Sequence, residues 1–178
     1  MGSDETGARE LHEIMPERDY VADVLKVSYT GTFDFDGLYK TLYQWFKKYG
    51  YNFRESDYKE YKEGGGKRLQ VKWGAKRKVS DYVKYVIEVG LQIDKMQDVA
   101  VKNRKRINGE LSITITGFIE KDYEETWSRT SFLKFLREAY DAFVMGNRMQ
   151  AMQDELLKDL QAFRTEVKAF LNMQKIGR

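Results

Sequence analysis

The chain has 178 residues, 42% hydrophobic and 33% charged, the balance of one globular domain rather than of a disordered segment. It has no cysteine, and its one histidine, His12, stands in a polar, aperiodic stretch; disulfide frameworks, thiolate metal sites and Ser-His-Asp or Cys-His catalysis are thereby excluded. The net charge of +3 hides an uneven spread, since residues 64–110 carry 12 Lys and Arg against 5 Asp and Glu.

Residues 1–19 are polar and acidic and read as a tail. They lack the apolar core of a signal peptide, and no apolar run in the chain approaches the roughly 20 residues of a bilayer span. A cytoplasmic protein is the expectation. From Leu25 the pattern becomes strictly alternating, with Leu25, Val27, Tyr29, Gly31 and Phe33 on one parity, the mark of a strand with one buried face. Leu38, Leu42, Trp45, Phe46 and Tyr49 then recur at helical spacing, with Asp36 as a candidate N-cap and Gly50 as the closing residue.

Residues 52–62 are rich in tyrosine and predict an edge strand, and Gly64-Gly65-Gly66 predicts a tight turn. That turn lacks the spacing of a phosphate loop and is followed by a strand, not a helix. Three further alternating runs follow. They are Leu69, Val71, Trp73 and Ala75; then Val83 to Ile93; then Leu111, Ile113, Ile115 and Ile119. A short strand over 97–102 and a basic turn over 102–106 separate the last two. Short connections between long strands imply antiparallel pairing.

After the acidic stretch holding Glu120, Asp122, Glu124 and Glu125 the period turns helical. A helix is expected over 131–145, carrying Phe132, Phe135, Leu136 and Tyr140, with Gly146-Asn147 as the point where it bends or breaks. Beyond it Leu156, Leu160, Phe163, Val167 and Phe170 form an apolar stripe at heptad spacing. Such a stripe is satisfied either by folding back on the domain or by a second chain, and a homodimer through these five residues is one expectation.

The whole predicts an α+β fold of about five or six antiparallel strands, one early helix and a long C-terminal helix packed on the sheet. Its divisions are a tail over 1–19, the sheet and helix domain over 20–146 and a helical C-terminal extension over 147–178. The order of elements resembles the helix-grip, or START-like, ligand-binding family over roughly residues 20–146. That resemblance rests on element order and implies an apolar cavity between the sheet and the last helix, holding a hydrophobic ligand. Trp73, Tyr85, Phe135 and Tyr140 are then the candidate cavity residues.

No pattern names a catalytic residue, a cofactor or a metal ligand set, and the acidic stretch lacks the ligand spacing of an EF-hand loop. A non-catalytic binding or assembly domain is therefore the first reading, with an enzyme in the sheet–helix cleft as an alternative. A second alternative is polyanion or nucleic-acid binding through Arg68, Lys72, Lys76 and Lys78 on one strand face, with Arg104, Lys105 and Arg106 nearby. Trp73 has the opposite parity to those cations and is expected to point inward, away from a stacking role.

Overall fold

A computed structural model of the chain describes residues 18–63, 66–101, 104–121 and 146–176. The elements in chain order are β1 (Arg18–Tyr20), β2 (Leu25–Phe33), α1 (Phe35–Lys48), β3 (Asn52–Glu63), β4 (Gly66–Lys78), β5 (Val83–Val101), β6 (Arg104–Lys121) and α2 (Gly146–Ile176). The expected helix over 131–145, with Phe135 and Tyr140, lies outside the described residues, as do His12 and Asp122, Glu124 and Glu125.

The six strands form one antiparallel sheet in the order β1-β6-β5-β4-β3, with β2 also lying along β6. The first long strand thus closes on the last. β2 pairs from Leu25↔Ile115 to Phe33↔Ile107, and β1 occupies the remaining length of β6 from Arg18↔Glu120 to Tyr20↔Phe118. Arg18 and Asp19, assigned from sequence to the tail, are therefore strand residues. Three residues are too few to show a period, and what holds them is contact across the strands: the Tyr20 and Phe118 rings lie 5.3 Å apart, with Arg18 over Phe118.

The alternation becomes burial. Val27, Phe33, Trp73, Ile87, Val89, Leu111, Ile113 and Ile115 are all buried on the face that carries the helices, and Leu25 packs half-buried beside them. β5 does not stop where its apolar run ends. A bulge between Asp94 and Gln97, with Lys95 at φ 52°, shifts the register, and pairing with β6 resumes from Gln97↔Asn108 to Val101↔Arg104. The segment predicted as a separate short strand is this continuation.

α1 follows β2 without a loop, so its N-cap is Asp34 rather than Asp36. Asp34 is extended (φ −89°, ψ 96°), and its Oδ1 accepts from the Gly37 N–H at 2.9 Å. Asp36 stands two residues further on, within the first turn, where its charge favours the positive end of the helix. Gly50, at φ 74°, closes the helix as expected.

α2 begins at Gly146 and at 1.5 Å per residue runs about 46 Å. It lies back on the sheet's inner face and against α1. Leu156, Leu160, Phe163 and Val167 are buried in the same core as the strands. Leu171 completes the stripe, while Phe170 is half-buried at its side. Four of the five residues named for a dimer seam are thus buried within one chain, and the fifth, Phe170, is partly so. Leu156, Leu160, Phe163, Val167 and Leu171 of α2 share one core with the strands.

Candidate functional site

Two polar clusters interrupt the apolar inner face, and both grow from strand parity. The first is centred on Arg77, which continues the inward series Leu69, Val71, Trp73 and Ala75 by one more step. Its register partner on β5 is Tyr85. Tyr51 is brought alongside by the turn after α1, where its N–H donates to the Phe46 carbonyl at 2.9 Å. From above, α2 presents Glu155 and Asp159, one turn apart on the side that carries Leu156 and Leu160.

The Arg77 guanidinium lies between the Tyr51 and Tyr85 rings, 4.9 and 5.1 Å from their centroids. Its Nη2 donates to Glu155 Oε1 at 2.9 Å and sits 3.0 Å from Asp159 Oδ2, and its Nη1 donates to the Tyr49 carbonyl at 3.2 Å. Tyr51 Oη donates to Asp159 Oδ2 at 2.7 Å, and Tyr85 Oη to Glu155 Oε2 at 3.0 Å. Burial, reinforced by these carboxylate partners, raises both phenols well above the usual tyrosine range. A phenol so raised holds its proton across neutral pH and is a poor acid–base catalyst there. The arrangement is a closed set of donors and acceptors that fastens α2 to the sheet.

The second cluster lies where α1 faces the free edge of the sheet. A bulge between Glu55 and Asp57 interrupts the β3–β4 ladder. Glu55 Oε2 accepts from Tyr39 Oη at 3.1 Å and from Trp73 Nε1 at 3.3 Å. Burial, with the bond to Glu55, pushes the Tyr39 phenol up to about 12. Four rings meet here. Tyr39 stands edge-on to Trp73 at 4.9 Å, Phe53 lies 5.3 Å from Trp73, and Tyr43 lies 5.3 Å from Phe53. Trp73 is buried, Tyr39 and Phe53 are half-buried and Tyr43 is exposed, so the group grades from core to solvent.

Of the four candidate cavity residues, Trp73 and Tyr85 face inward as read, but they belong to different clusters. Trp73 lies under the α1–β3 rim, and Tyr85 belongs to the Arg77 clamp. The sequence reading missed Arg77, Asp159, Glu155, Tyr51, Tyr39 and Glu55. The signal for Arg77 was present, as a charge on the apolar parity of β4. Glu55 shares the parity of Phe53 and pairs directly with Trp73, but the segment 52–62 has no apolar series from which that face could be read.

The cationic candidates are largely neutralised by their neighbours. Arg68, Lys72, Lys76 and Lys78 do share the outer face of β4, as parity requires. Yet Arg68 bonds Asp94 at 2.6 Å, Lys76 bonds the buried Glu120 at 3.0 Å, and Lys78 lies 2.7 Å from Asp81. The Lys59 hydrogen bond, joined by the charge of Lys72 across the ladder, holds the Asp57 carboxyl below its usual range. Lys105 stands 3.9 Å from Asp98. Arg106 turns toward the helices, donating to Gln174 Oε1 at 2.6 Å and lying 3.6 Å from Asp34. Arg104 is exposed at the β5–β6 hairpin end. Among the described residues no group of His, Cys, Asp and Glu is arranged to hold a metal ion, and no helix is long and apolar enough to cross a membrane. Set against known proteins, the chain matches no family model and no curated protein sequence.

Proposed function

We propose that this chain is a non-catalytic binding domain that takes a hydrophobic, flat ligand at the aromatic rim between α1 and β3, on the helix-bearing face of the sheet. The observation that carries this reading is the graded cluster of Tyr43, Phe53, Tyr39 and Trp73 around a single carboxylate, Glu55. Small-molecule sites are typically apolar and aromatic with a few placed polar groups. Rings that run from solvent into the core supply the apolar surface, and Glu55 supplies one acceptor that a ligand donor can share. The strand order, with β2 closed on β6 and α2 laid across the inner face, supports the reading by its likeness to the helix-grip arrangement; fold likeness alone does not establish a ligand.

The polyanion reading draws less support, because most of its cations are already engaged with carboxylates of the same chain. Titration with 8-anilinonaphthalene-1-sulfonate under 290 nm excitation tests the proposal. Saturable energy transfer from tryptophan to the dye is expected, with affinity falling about tenfold in Phe53→Ala, the change for one large ring contact of roughly 1.4 kcal/mol. Non-saturable dye fluorescence, or equal affinity in Phe53→Ala and wild type, would overturn it.

A further inference from the structure

β3 ends the sheet: it pairs with β4 on one side, and among the described residues no strand lies along the other. An open edge invites another strand, and native edges are commonly blunted by charge or bulges. The bulge between Glu55 and Asp57 guards only the first half of β3. From Asp57↔Lys72 to Glu63↔Gly66 the ladder is regular. In this second half Tyr58 and Tyr61 are 53% and 43% exposed, and Lys59, Glu60 and Lys62 are exposed as well. An edge that is regular and uncovered among the described residues, with exposed tyrosines on both faces (Tyr58 opposite Val71, Tyr61 opposite Arg68), is the kind that accepts a partner.

We propose that the partner is a second copy of this chain, joined by antiparallel pairing of β3 with β3 about a two-fold axis at Tyr61. The charge pattern selects both the occupant and the register. A continuous antiparallel sheet made by a two-fold axis keeps like faces together, so the axis must pass through a residue and not between two. An axis at Lys59 opposes lysine to lysine, and one at Glu60 opposes glutamate to glutamate; like charges directly opposite are unfavourable. An axis at Tyr58 would set Asp57 against Lys59, but Asp57 abuts the bulge, where the ladder is irregular. An axis at Tyr61 sets tyrosine on tyrosine and places Glu60 of each copy opposite Lys62 of the other. Two reciprocal ion pairs then flank an aromatic pair. Glu60 also lies 3.2 Å from Lys67 on the neighbouring β4, an exposed pair that the cross-axis contact with Lys62 would have to share.

Charge reversal tests the register directly on the full chain, by sedimentation equilibrium from micromolar to millimolar concentration. Wild type should rise from 21.0 kDa toward twice that mass. Glu60→Lys and Lys62→Glu each convert both cross-axis pairs to like charges, and each should weaken association by on the order of tenfold or more. The double variant E60K/K62E restores opposite charges at both pairs and should recover the wild-type constant. Far-UV circular dichroism should be the same for all three variants as for wild type, which separates loss of association from loss of the fold. A 21.0 kDa species for wild type at every concentration would overturn the proposal. Single variants that associate as tightly as wild type, or a double variant that fails to recover, would also overturn it.

Discussion

Replacing Arg77 by methionine is the most informative single perturbation of the sheet–α2 contact. Methionine keeps a long apolar stem between the Tyr51 and Tyr85 rings and removes only the charge and its donors. What remains beneath α2 is Asp159, with a side chain 12% exposed and, among the described residues, Tyr51 Oη as its remaining side-chain donor. Breaking a fully buried pair by removing one partner costs about 3–5 kcal/mol. Arg77 and Asp159 keep some solvent contact, so a loss of about 2–3 kcal/mol is expected for Arg77→Met. Glu155 shares the same guanidinium, but its side chain is 58% exposed and water replaces the lost bond. An exposed pair of that kind contributes roughly 0–1 kcal/mol. Two double-mutant cycles by urea unfolding separate them, one pairing Arg77→Met with Asp159→Asn and the other with Glu155→Gln. The coupling should be about 1.5–3 kcal/mol with Asp159 and under about 1 kcal/mol with Glu155. Equal couplings, or a larger one with Glu155, would refute the claim that burial of Asp159 makes the clamp.

Two further outcomes follow from the packing and the titrating groups. A Cβ on Gly117 would lie 2.6 and 2.8 Å from the two Leu160 methyls, so Gly117→Ala should lose about 1–3 kcal/mol in urea melts, outweighing the roughly 0.4–1 kcal/mol that alanine gains by restricting the unfolded chain. A stabilised variant would mean that Leu160 has room to move. Tyr39, Tyr51 and Tyr85 bind their protons more tightly folded than unfolded, so their contribution is full below the ordinary tyrosine pKa near 10 and is lost as pH rises through the folded values, about 12 for Tyr39. Absorbance at 295 nm should show a late-titrating fraction of the 12 tyrosines that ionises together with loss of helical dichroism, reduced in Tyr51→Phe; uniform titration near 10 with the fold intact would contradict it.

Alternation was the most legible feature of the sequence, because a half-buried strand repeats its environment every second residue. It placed Val27, Trp73, Ile113 and Ile115 inward without any knowledge of partners. Pairing order was less legible: nothing local in β2 says that it lies on β6, some 80 positions away, rather than on β3. The candidate site depends on still finer detail. Trp73 could be read as inward, but its hydrogen bond to Glu55 depends on the β3–β4 register, which sets Glu55 directly across from Trp73 and which no local pattern in 52–62 announces. The stripe on α2 was read residue by residue, apart from Leu171, yet a stripe specifies only that it be buried and not what buries it. The glycine that locates the cover stood in plain view. Gly117 occupies the apolar parity of β6 between Ile115 and Ile119, and an inward glycine in a strand marks a close approach, here by Leu160.

The contacts along α2 divide into two kinds with different consequences. Its apolar stripe gains from burial wherever it meets apolar surface, and burial is non-directional. Sliding the helix one turn along the sheet would shift it about 5.4 Å and still bury leucine and phenylalanine. The polar contacts do not tolerate that shift. Asp159 and Glu155 meet Arg77 toward the N-terminal part of α2, and Gln174 meets Arg106 near its C-terminal end, each within 3.0 Å. Hydrogen bonds weaken steeply beyond about 3.2 Å, so a one-turn displacement breaks the bonds at both ends together. Between them, Leu160 packs directly over Gly117, in space that any side chain at 117 would occupy. Burial thus supplies most of the attraction, while the Arg77 and Arg106 contacts fix where along the sheet the helix stops. That position also decides which residues line the sheet–helix cleft.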